Sequence, residues 1–280
     1  MMFEAVPETG CELGESPVWD ASAGALLWVD IPQGTIHELT IAGGARRRWV
    51  LEGPVGSMGL AADGRLVVAR RHEVGLLDRA SGAYTTLAQV LAPDPALRLN
   101  DGKVGPDGAF WVGSMHEAPE HRPLGALFRV APDGRVERKR EGLFTSNGLA
   151  WSPDGRMMFH SDSRGCWIER WAFDPQTGAM SGQQRIATPQ EADGRPDGAA
   201  ADAQGYYWSA GVSAGCLNRY APDGRLVQRV ALPVPKPTMP CFGGDGQLYV
   251  TSLRPDGGQK GPVLRAPAPL AGAAVARFGV

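Results

Sequence analysis

Asp107-Gly108-Ala109-Phe110-Trp111-Val112 is a tight-turn dipeptide followed directly by a short run of β-prone residues. Asp-Gly pairs favour β-hairpin turns because both residues tolerate positive φ angles. Related segments, each opening on an aspartate and leading into apolar or aromatic residues, recur along the chain. The six aspartates are 43, 44, 47, 48 and 43 residues apart, at Asp20, Asp63, Asp107, Asp154, Asp202 and Asp245. This regular spacing indicates a repeated unit of about 45 residues.

A second turn signal separates successive aspartate segments. These signals are Gly43-Gly44, Ser81-Gly82, Asp133-Gly134, Gln176-Thr177-Gly178 and Asp223-Gly224. Two hairpins per repeat mean four strands per repeat, and no stretch shows a sustained helical pattern. An array of β-sandwiches would not space one hairpin so evenly. The sequence therefore predicts an all-β fold, a single six-bladed β-propeller domain over residues 1–280 with four-stranded antiparallel blades.

A propeller must seal its last blade against its first, because an open edge strand invites aggregation. Two segments are candidates for this closing strand. Phe3-Glu4-Ala5-Val6 lies ahead of the first repeat, and Ala273-Ala274-Val275-Ala276-Arg277-Phe278 follows the last. The pattern alone favours neither.

The composition excludes several classes of protein. The chain is 43% hydrophobic and 21% charged with a formal net charge of −2, so it has no overall attraction to nucleic acid or to an anionic membrane. It contains no run of about 18 apolar residues and no signal-peptide pattern at its start. The four cysteines are far apart, which favours reduced thiols and a cytoplasmic location; they are Cys11, Cys166, Cys216 and Cys241.

Polar residues stand where the innermost strand of four repeats should begin. Glu15 and Asp197 each lie five residues before their turn aspartate, and Asn100 and Asn147 lie seven before theirs. The difference of two preserves side-chain direction in a strand. These four side chains should therefore converge on one mouth of the channel. The ends of the next strands add Asp30, His116 and Asp162 to the same rim.

Crowded buried carboxylates repel one another unless a cation or a proton resolves the conflict. Two carboxylates with amide oxygens suit a hard divalent ion such as Ca²⁺ or Mg²⁺, with water completing its shell. The alternative is that such residues only form turns, since Asp-Gly and Asn-Gly are common turn formers. That alternative applies to Asp101, which precedes Gly102, and more strongly to Asp63, Asp107, Asp133, Asp154, Asp223 and Asp245.

Several segments, in order along the chain, resemble the SMP-30/gluconolactonase/regucalcin family. They are Leu13-Gly14-Glu15-Ser16-Pro17-Val18-Trp19, Trp28-Val29-Asp30-Ile31, Arg98-Leu99-Asn100-Asp101-Gly102-Lys103-Val104, Trp111-Val112-Gly113-Ser114-Met115, Ser146-Asn147-Gly148-Leu149-Ala150-Trp151-Ser152-Pro153-Asp154-Gly155, Pro196-Asp197-Gly198 and Lys236-Pro237-Thr238-Met239-Pro240-Cys241-Phe242-Gly243-Gly244. Each motif is weak alone, but the ordered set is specific. The resemblance implies a six-bladed propeller, in agreement with the repeat count.

The resemblance also implies roles for individual residues. Glu15, Asn147 and Asp197 correspond to ligands of one divalent metal ion, which is Ca²⁺, Zn²⁺, Mn²⁺ or Fe²⁺ in different members. Arg98 and Asn100 correspond to substrate contacts, and Asp197 to the general base. Where animal members have a further acidic contact, this chain has Ala118, which leaves the preceding residues His116 and Glu117 as candidates for that contact.

The resulting hypothesis is metal-dependent hydrolysis of a sugar lactone, of the gluconolactone, xylonolactone or arabinonolactone type, to the aldonic acid. Two alternatives remain at this stage. One is a phosphotriesterase resembling diisopropyl fluorophosphatase on the same scaffold. The other is a calcium-binding or protein-interaction propeller without catalysis. A serine nucleophile is disfavoured because the chain has no G-x-S-x-G motif.

Overall fold

A computed structural model of the chain describes residues 1–279 and consists of six four-stranded antiparallel sheets. Blades one to three contain β2 (Gly14–Asp20), β3 (Ala25–Asp30), β4 (Thr35–Thr40) and β5 (Arg46–Val50); β6 (Val55–Leu60), β7 (Leu66–Arg70), β8 (Glu73–Leu77) and β9 (Tyr84–Gln89); and β10 (Leu97–Val104), β11 (Phe110–His116), β12 (Gly125–Val130) and β13 (Val136–Leu143). The first strand of each blade is the innermost.

Blades four to six follow the same plan. They contain β14 (Ser146–Trp151), β15 (Met157–Asp162), β16 (Trp167–Phe173) and β17 (Met180–Ala187); β18 (Pro196–Ala201), β19 (Tyr207–Gly211), β20 (Cys216–Tyr220) and β21 (Leu226–Ala231); and β22 (Pro237–Phe242), β23 (Gln247–Ser252), β24 (Leu264–Pro267) and β1 (Glu4–Ala5). The prediction of a six-bladed β-propeller with four-stranded blades is confirmed.

The N-terminal strand closes the ring. Strand β1 is the outermost strand of blade six, where Glu4 pairs with Arg265. The Arg265 guanidinium also donates to the Glu4 carboxylate, with Nε 2.8 Å from Oε1. Of the two candidate closing segments, the structure therefore uses the one that begins at Phe3.

The C-terminal segment, residues 268–279, does not close the ring but connects two blades. The Ala273 amide donates to the Ala201 carbonyl of blade five, 2.9 Å away, and the Phe278 amide donates to the Leu60 carbonyl of blade two at 2.8 Å. Blades two and five stand on opposite sides of a six-membered ring. Residues 273–276 between these anchors line a cavity at the channel mouth beside the Asp-Gly turns. We call this end of the channel the far mouth.

The turn aspartates accept hydrogen bonds that stabilise the turns and, at one position, the blade itself. Asp63, Asp133, Asp154 and Asp223 accept hydrogen bonds within their own turns. Asp107 does more, because its carboxylate accepts from Trp111 Nε1 at 3.0 Å and from Arg129 Nε at 2.7 Å. Trp111 is fully buried and packs edge-to-face against Phe173 of the next blade. Such pairs add about 0.5–1.5 kcal/mol beyond burial of their area.

Helix is almost absent from residues 1–279, where the one α-helix is α1 (Glu191–Gly194). No helix in this part of the chain has the length and apolar character needed to cross a membrane. All four cysteines are free thiols, and three of them are buried.

Candidate active site at one mouth of the channel

Every innermost strand is irregular near its start, at the mouth opposite the Asp-Gly turns. The register with the next strand shifts between Glu15 and Val18, Val55 and Ser57, Leu99 and Gly102, Asn147 and Ala150, Pro196 and Ala199, and Pro237 and Met239. A β-bulge bends its strand and redirects the side chains beside it. Each blade therefore has one bulge at this end of the channel, which we call the site mouth.

The site mouth contains a cavity of about 160 Å³. Its lining includes all five residues that were predicted to bind metal or to be the main substrate contacts, namely Glu15, Arg98, Asn100, Asn147 and Asp197. They come from blades one, three, four and five. The structure thus brings together the residues that the strand alignment predicted to converge.

Glu15 and Asp197 are two acids with few compensating partners. The Glu15 carboxylate accepts one hydrogen bond, from the Ser16 amide at 2.9 Å. Asp197 Oδ1 accepts from Asn147 Nδ2 at 2.5 Å and from Ser163 Oγ at 3.4 Å. Burial raises the pKa of Glu15 well above its usual value, and the Asp197 charge raises it further. Burial also raises the pKa of Asp197, to about 7.

This donor set fits a hard divalent cation. Two carboxylates that repel each other and retain free oxygen lone pairs are stabilised by a bound cation. Within residues 1–279 no three His, Cys, Asp or Glu side chains group together as a metal site. An ion here would therefore depend on the Asn147 amide oxygen as well as on Glu15 and Asp197. Water would complete its coordination.

The backbone at Gly148, directly after Asn147, requires a glycine. Its φ is +63°, in the left-handed region, and a Cβ at this position would clash with the Tyr207 hydroxyl and with Ser161 Oγ. The Tyr207 hydroxyl donates to the Gly148 carbonyl at 2.8 Å, which holds the peptide. The Gly148 amide in turn donates to Asn147 Oδ1 at 3.0 Å. The motif Asn147-Gly148 is therefore part of a bulge in an inner strand, where it positions the amide side chain.

Arg98 and Asn100 form a connected pair on the wall of the cavity. Arg98 Nη1 donates to Asn100 Oδ1 at 2.7 Å, and Asn100 Nδ2 donates to the Ser146 carbonyl at 3.0 Å. Arg98 Nε donates to Glu117 Oε1 at 2.9 Å. Burial lowers the pKa of the Arg98 guanidinium, and Glu117 opposes that effect. The Glu117 contact therefore helps to keep Arg98 charged and oriented.

His116 and Glu117 do not belong to the residues that line the cavity; Met115 lies there instead. The His116 ring is buried, and its Nδ1 accepts from the Arg122 amide at 3.2 Å. Direct substrate contact by His116 or Glu117 thus stays a prediction, and the structure places Glu117 behind Arg98.

Asp30 and Asp162, also predicted for this rim, accept hydrogen bonds from backbone amides. The two oxygens of Asp30 accept from the Glu12 and Leu13 amides at 3.0 and 3.1 Å. Those of Asp162 accept from the Phe144 and Thr145 amides at 2.7 and 3.0 Å. In each case the carboxylate of the second strand fixes the segment that leads into the innermost strand. This places Glu15 and Asn147.

Asp101 is not a turn residue. It lies in the β10 bulge and is buried, and its Oδ2 accepts from the Leu149 amide at 3.1 Å. Burial raises the pKa of Asp101, and Lys103 opposes this effect. The alternative of a simple Asp-Gly turn is therefore wrong at this position, because the bulge directs the carboxylate into the protein rather than towards solvent.

Sequence reasoning missed four polar residues of the cavity, Thr145, Ser163, Arg164 and Arg195. Ser163, Arg164 and Arg195 line it next to Asp197. Ser163 and Arg164 follow β15, and Arg195 precedes β18. The available signal was their position, since loops that leave or enter the site end of a strand must reach the same rim.

Comparison with known proteins identifies relatives of this chain in one family. Residues 13–254 match the family described as the SMP-30/Gluconolactonase/LRE-like region. A 6-deoxy-6-sulfogluconolactonase of Pseudomonas putida is 37% identical over 248 residues, which are 86% of this chain and 84% of the relative. A regucalcin of Xenopus laevis is 35% identical over 257 residues, 89% of this chain and 86% of the relative.

A solved structure shares the same fold. The structure described as a calcium-binding protein, regucalcin, from Agrobacterium tumefaciens superposes with a TM-score of 0.90 at 27% sequence identity. The match covers 98% of this chain and 96% of that one. With the family match spanning most of the blades, the chain belongs to the SMP-30/gluconolactonase/LRE-like family.

Proposed function

We propose that this protein hydrolyses a sugar lactone to the open aldonic acid and uses a divalent cation held by Glu15, Asn147 and Asp197. The observation that carries the proposal is the pair of poorly compensated acids, Glu15 and Asp197, in one small cavity with Arg98 and Asn100. The name of the Pseudomonas putida relative, a sulfogluconolactonase, supports a sugar lactone as the substrate class.

A cation bound by these three side chains would supply positive charge that polarises the lactone carbonyl and acidifies water. The protein contributes the geometry. Asn147 is held by the Gly148 peptide, and Asp197 by Asn147 and Ser163. The ligands are therefore positioned by their own hydrogen bonds, as tight binding requires.

Asp197 is the candidate general base. Its Oδ1 is occupied by Asn147 and Ser163, and Oδ2 has no hydrogen-bond partner among the described residues. In the proposed step a water that donates to Oδ2 attacks the lactone carbonyl carbon, and Oδ2 takes its proton. The bond between the acyl carbon and the ring oxygen then breaks, and the ring oxygen receives that proton as a hydroxyl.

Arg98 and Asn100 are proposed to orient the sugar. Both side chains line the cavity, and Glu117 fixes the Arg98 guanidinium from behind. Hydrogen bonds from such fixed groups to sugar hydroxyls would hold the carbonyl in position for attack. Glu117 is therefore proposed to act through Arg98.

The decisive experiment is proton release from a panel of five- and six-membered aldonolactones, with and without chelator. Hydrolysis liberates one proton per lactone at neutral pH, and the spontaneous rate is subtracted because sugar lactones open unaided. We expect acceleration of at least one lactone, its loss on chelation, and recovery with one of Ca²⁺, Zn²⁺, Mn²⁺, Mg²⁺ or Fe²⁺. No acceleration of any lactone would refute the proposal.

The same panel includes a phosphotriester. Turnover of the phosphotriester without turnover of any lactone would favour the phosphotriesterase alternative. Tight cation binding with neither activity would favour a calcium-binding propeller without catalysis. The three possible functions therefore predict different results in this experiment.

A further inference from the structure

Two arginines at the site mouth have more hydrogen-bonding capacity than the protein uses. Arg164 lies in the turn between β15 and β16, is exposed, and makes no hydrogen bond or ion pair through its side chain within residues 1–279. Arg195 Nη1 donates to Glu191 Oε1 at 3.3 Å. Its Nε is buried and has no partner in the described part of the chain.

Both arginines line the same cavity beside Asp197, which brings two like charges to one wall. Partial burial lowers the pKa of Arg164, and the Arg195 charge lowers it further. The adjacent acids do not fully offset this positive charge. Asp162 is engaged by the backbone amides of Phe144, Thr145 and Gly165. The side chain of Glu191 is 61% exposed and has a single contact with Arg195.

The acids within the cavity have other partners. In the proposed function Glu15 and Asp197 bind a cation, and Arg98 already has Glu117. Arg164 would then have no ion-pair partner among the described residues, and Arg195 would have only the exposed Glu191. Guanidinium groups match carboxylates, sulfonates and phosphates because they present several donors in a plane.

We propose that Arg164 and Arg195 bind an anionic group carried by the lactone at the carbon remote from its carbonyl. This inference rests on the proposed function and deepens it, from sugar lactones in general to lactones with a carboxylate, sulfonate or phosphate substituent. Arg164 and Arg195 are specificity residues in this scheme. The reacting carbonyl lies with Glu15, Asn147 and Asp197.

The test compares gluconolactone with lactones of the same ring that carry a carboxylate, a sulfonate or a phosphate at the terminal carbon. The ratio of kcat/KM for each anionic lactone to that for gluconolactone is measured by proton release, with saturating cation. We expect a ratio of at least about ten for one of the three anions. The identity of that anion distinguishes the possible sources. Because exposed charges are screened, the ratio should fall as salt is added.

Variants assign the effect to the two arginines. Arg164→Gln and Arg195→Gln should each lower the ratio several-fold, whereas Arg48→Gln removes an exposed charge from blade one and should leave it unchanged. A parent enzyme that opens gluconolactone as well as all three anionic lactones would overturn the inference while the lactonase function stands. Equal losses on charged and uncharged lactones would also overturn it, because the arginines would then serve the reacting end.

A binding measurement keeps the inference testable if no lactone is opened. Calorimetry compares gluconate with glucarate, its analogue with a second carboxylate at the terminal carbon. Tighter binding of glucarate by the parent, lost in Arg164→Gln, would support the anion site even without catalysis. Equal affinities would overturn it.

Discussion

The two mouths of the channel are built by opposite ends of the same six innermost strands, and they differ in almost every respect. The site mouth has a register shift in every blade and a cavity lined by two acids, two amides and three arginines. The far mouth has regular strand ends and a larger cavity, about 330 Å³, with walls that include Met58, Val104 and Phe242. The C-terminal segment spans the far mouth. Bulges and polar residues thus occur together.

The difference shows how one repeat serves two purposes. Where strands pair regularly, their side chains alternate and the apolar set packs between blades. A bulge breaks the alternation and frees a polar side chain to face the channel. Strand β10 joins the two ends: Asp101 lies buried in its bulge, and Lys103, two residues on, lines the cavity of the far mouth. Lys103 Nζ donates to the Ala199 carbonyl of blade five at 2.6 Å.

The largest effect should come from the site mouth. Asp197→Ala removes a proposed ligand and the proposed base together, so lactone turnover should fall by about 10³-fold or more and cation binding should weaken strongly. The thermal unfolding temperature without cation should not fall, because one of two repelling carboxylates is gone. Calorimetric titration and a thermal scan would check both. Parent-like cation affinity in this variant would contradict the ligand assignment.

The next effect should come from the far mouth and leave chemistry alone. Phe278 is buried against a cluster that includes Ala61 and Phe110. Truncation in Phe278→Ala should lower the free energy of unfolding by about 3–5 kcal/mol, because it leaves a cavity. Lactone turnover should change less than twofold. Val275→Ala, in the same segment but 46% exposed, is the matched control, with an expected change below about 0.5 kcal/mol. A large loss of activity in Phe278→Ala would show that the two mouths are coupled.

These two ends were also unequally predictable from sequence. The Asp-Gly turns recur at a nearly constant interval, and turn chemistry is local, so the number of blades and strands could be read directly. Convergence of Glu15, Asn100, Asn147 and Asp197 followed from the period of two along a strand. The bulges did not change that result, because each lies near the start of its strand, at the same end of the channel.

What could not be predicted depends on contacts between distant segments. Nothing local distinguishes Phe3–Val6 from Ala273–Phe278 as the closing strand, since both are short and apolar. Arg164 and Arg195 have no motif, and only the packing of two loops brings them to the cavity. The sequence does not assign Asp101 to a turn or to a bulge, because Asp-Gly occurs in both and only the register of β10 separates the two.

Acid should destabilise the site mouth through His160, which lies in the wall behind it. Its Nε2 is 2.8 Å from Ser146 Oγ, and burial lowers the pKa of the ring to about 3. An unfolded chain takes up a proton near pH 6.5 and the native protein does not. Above pH 6.5 His160 therefore does not lower the free energy of unfolding. As pH falls from 6.5 towards 3, protonation of His160 in the unfolded chain lowers the free energy of unfolding by about 1.4 kcal/mol per pH unit.

His160→Gln removes that dependence, since glutamine does not titrate and can keep a hydrogen bond to Ser146. Denaturant unfolding of parent and variant should be compared between pH 5 and 8. The stability difference between them should be constant above pH 7 and should shift in favour of the variant below pH 6. Parallel curves over this range would show that folding does not lower the pKa of His160.

The smallest expected effect separates the role of Glu15 in the metal-free protein from its role with cation. In chelator, Glu15→Gln removes a buried like charge beside Asp197, so it should raise the free energy of unfolding by about 1 kcal/mol. With cation present the order should reverse. The parent gains stability in proportion to the logarithm of cation concentration over Kd, and the weaker-binding variant gains less.

Glu12→Gln is the control for this experiment. Glu12 lies two residues before β2, outside the cavity lining, and pairs with Arg254 at 3.2 Å. The substitution therefore removes one carboxylate charge, as Glu15→Gln does, without changing a residue of the site. Its response to cation should match that of the parent. If Glu15→Gln and Glu12→Gln gained equally from cation, Glu15 would not be a ligand. A cation at the site mouth would then be bound by Asp197 and residues of blade four, and blade one would contribute no ligand.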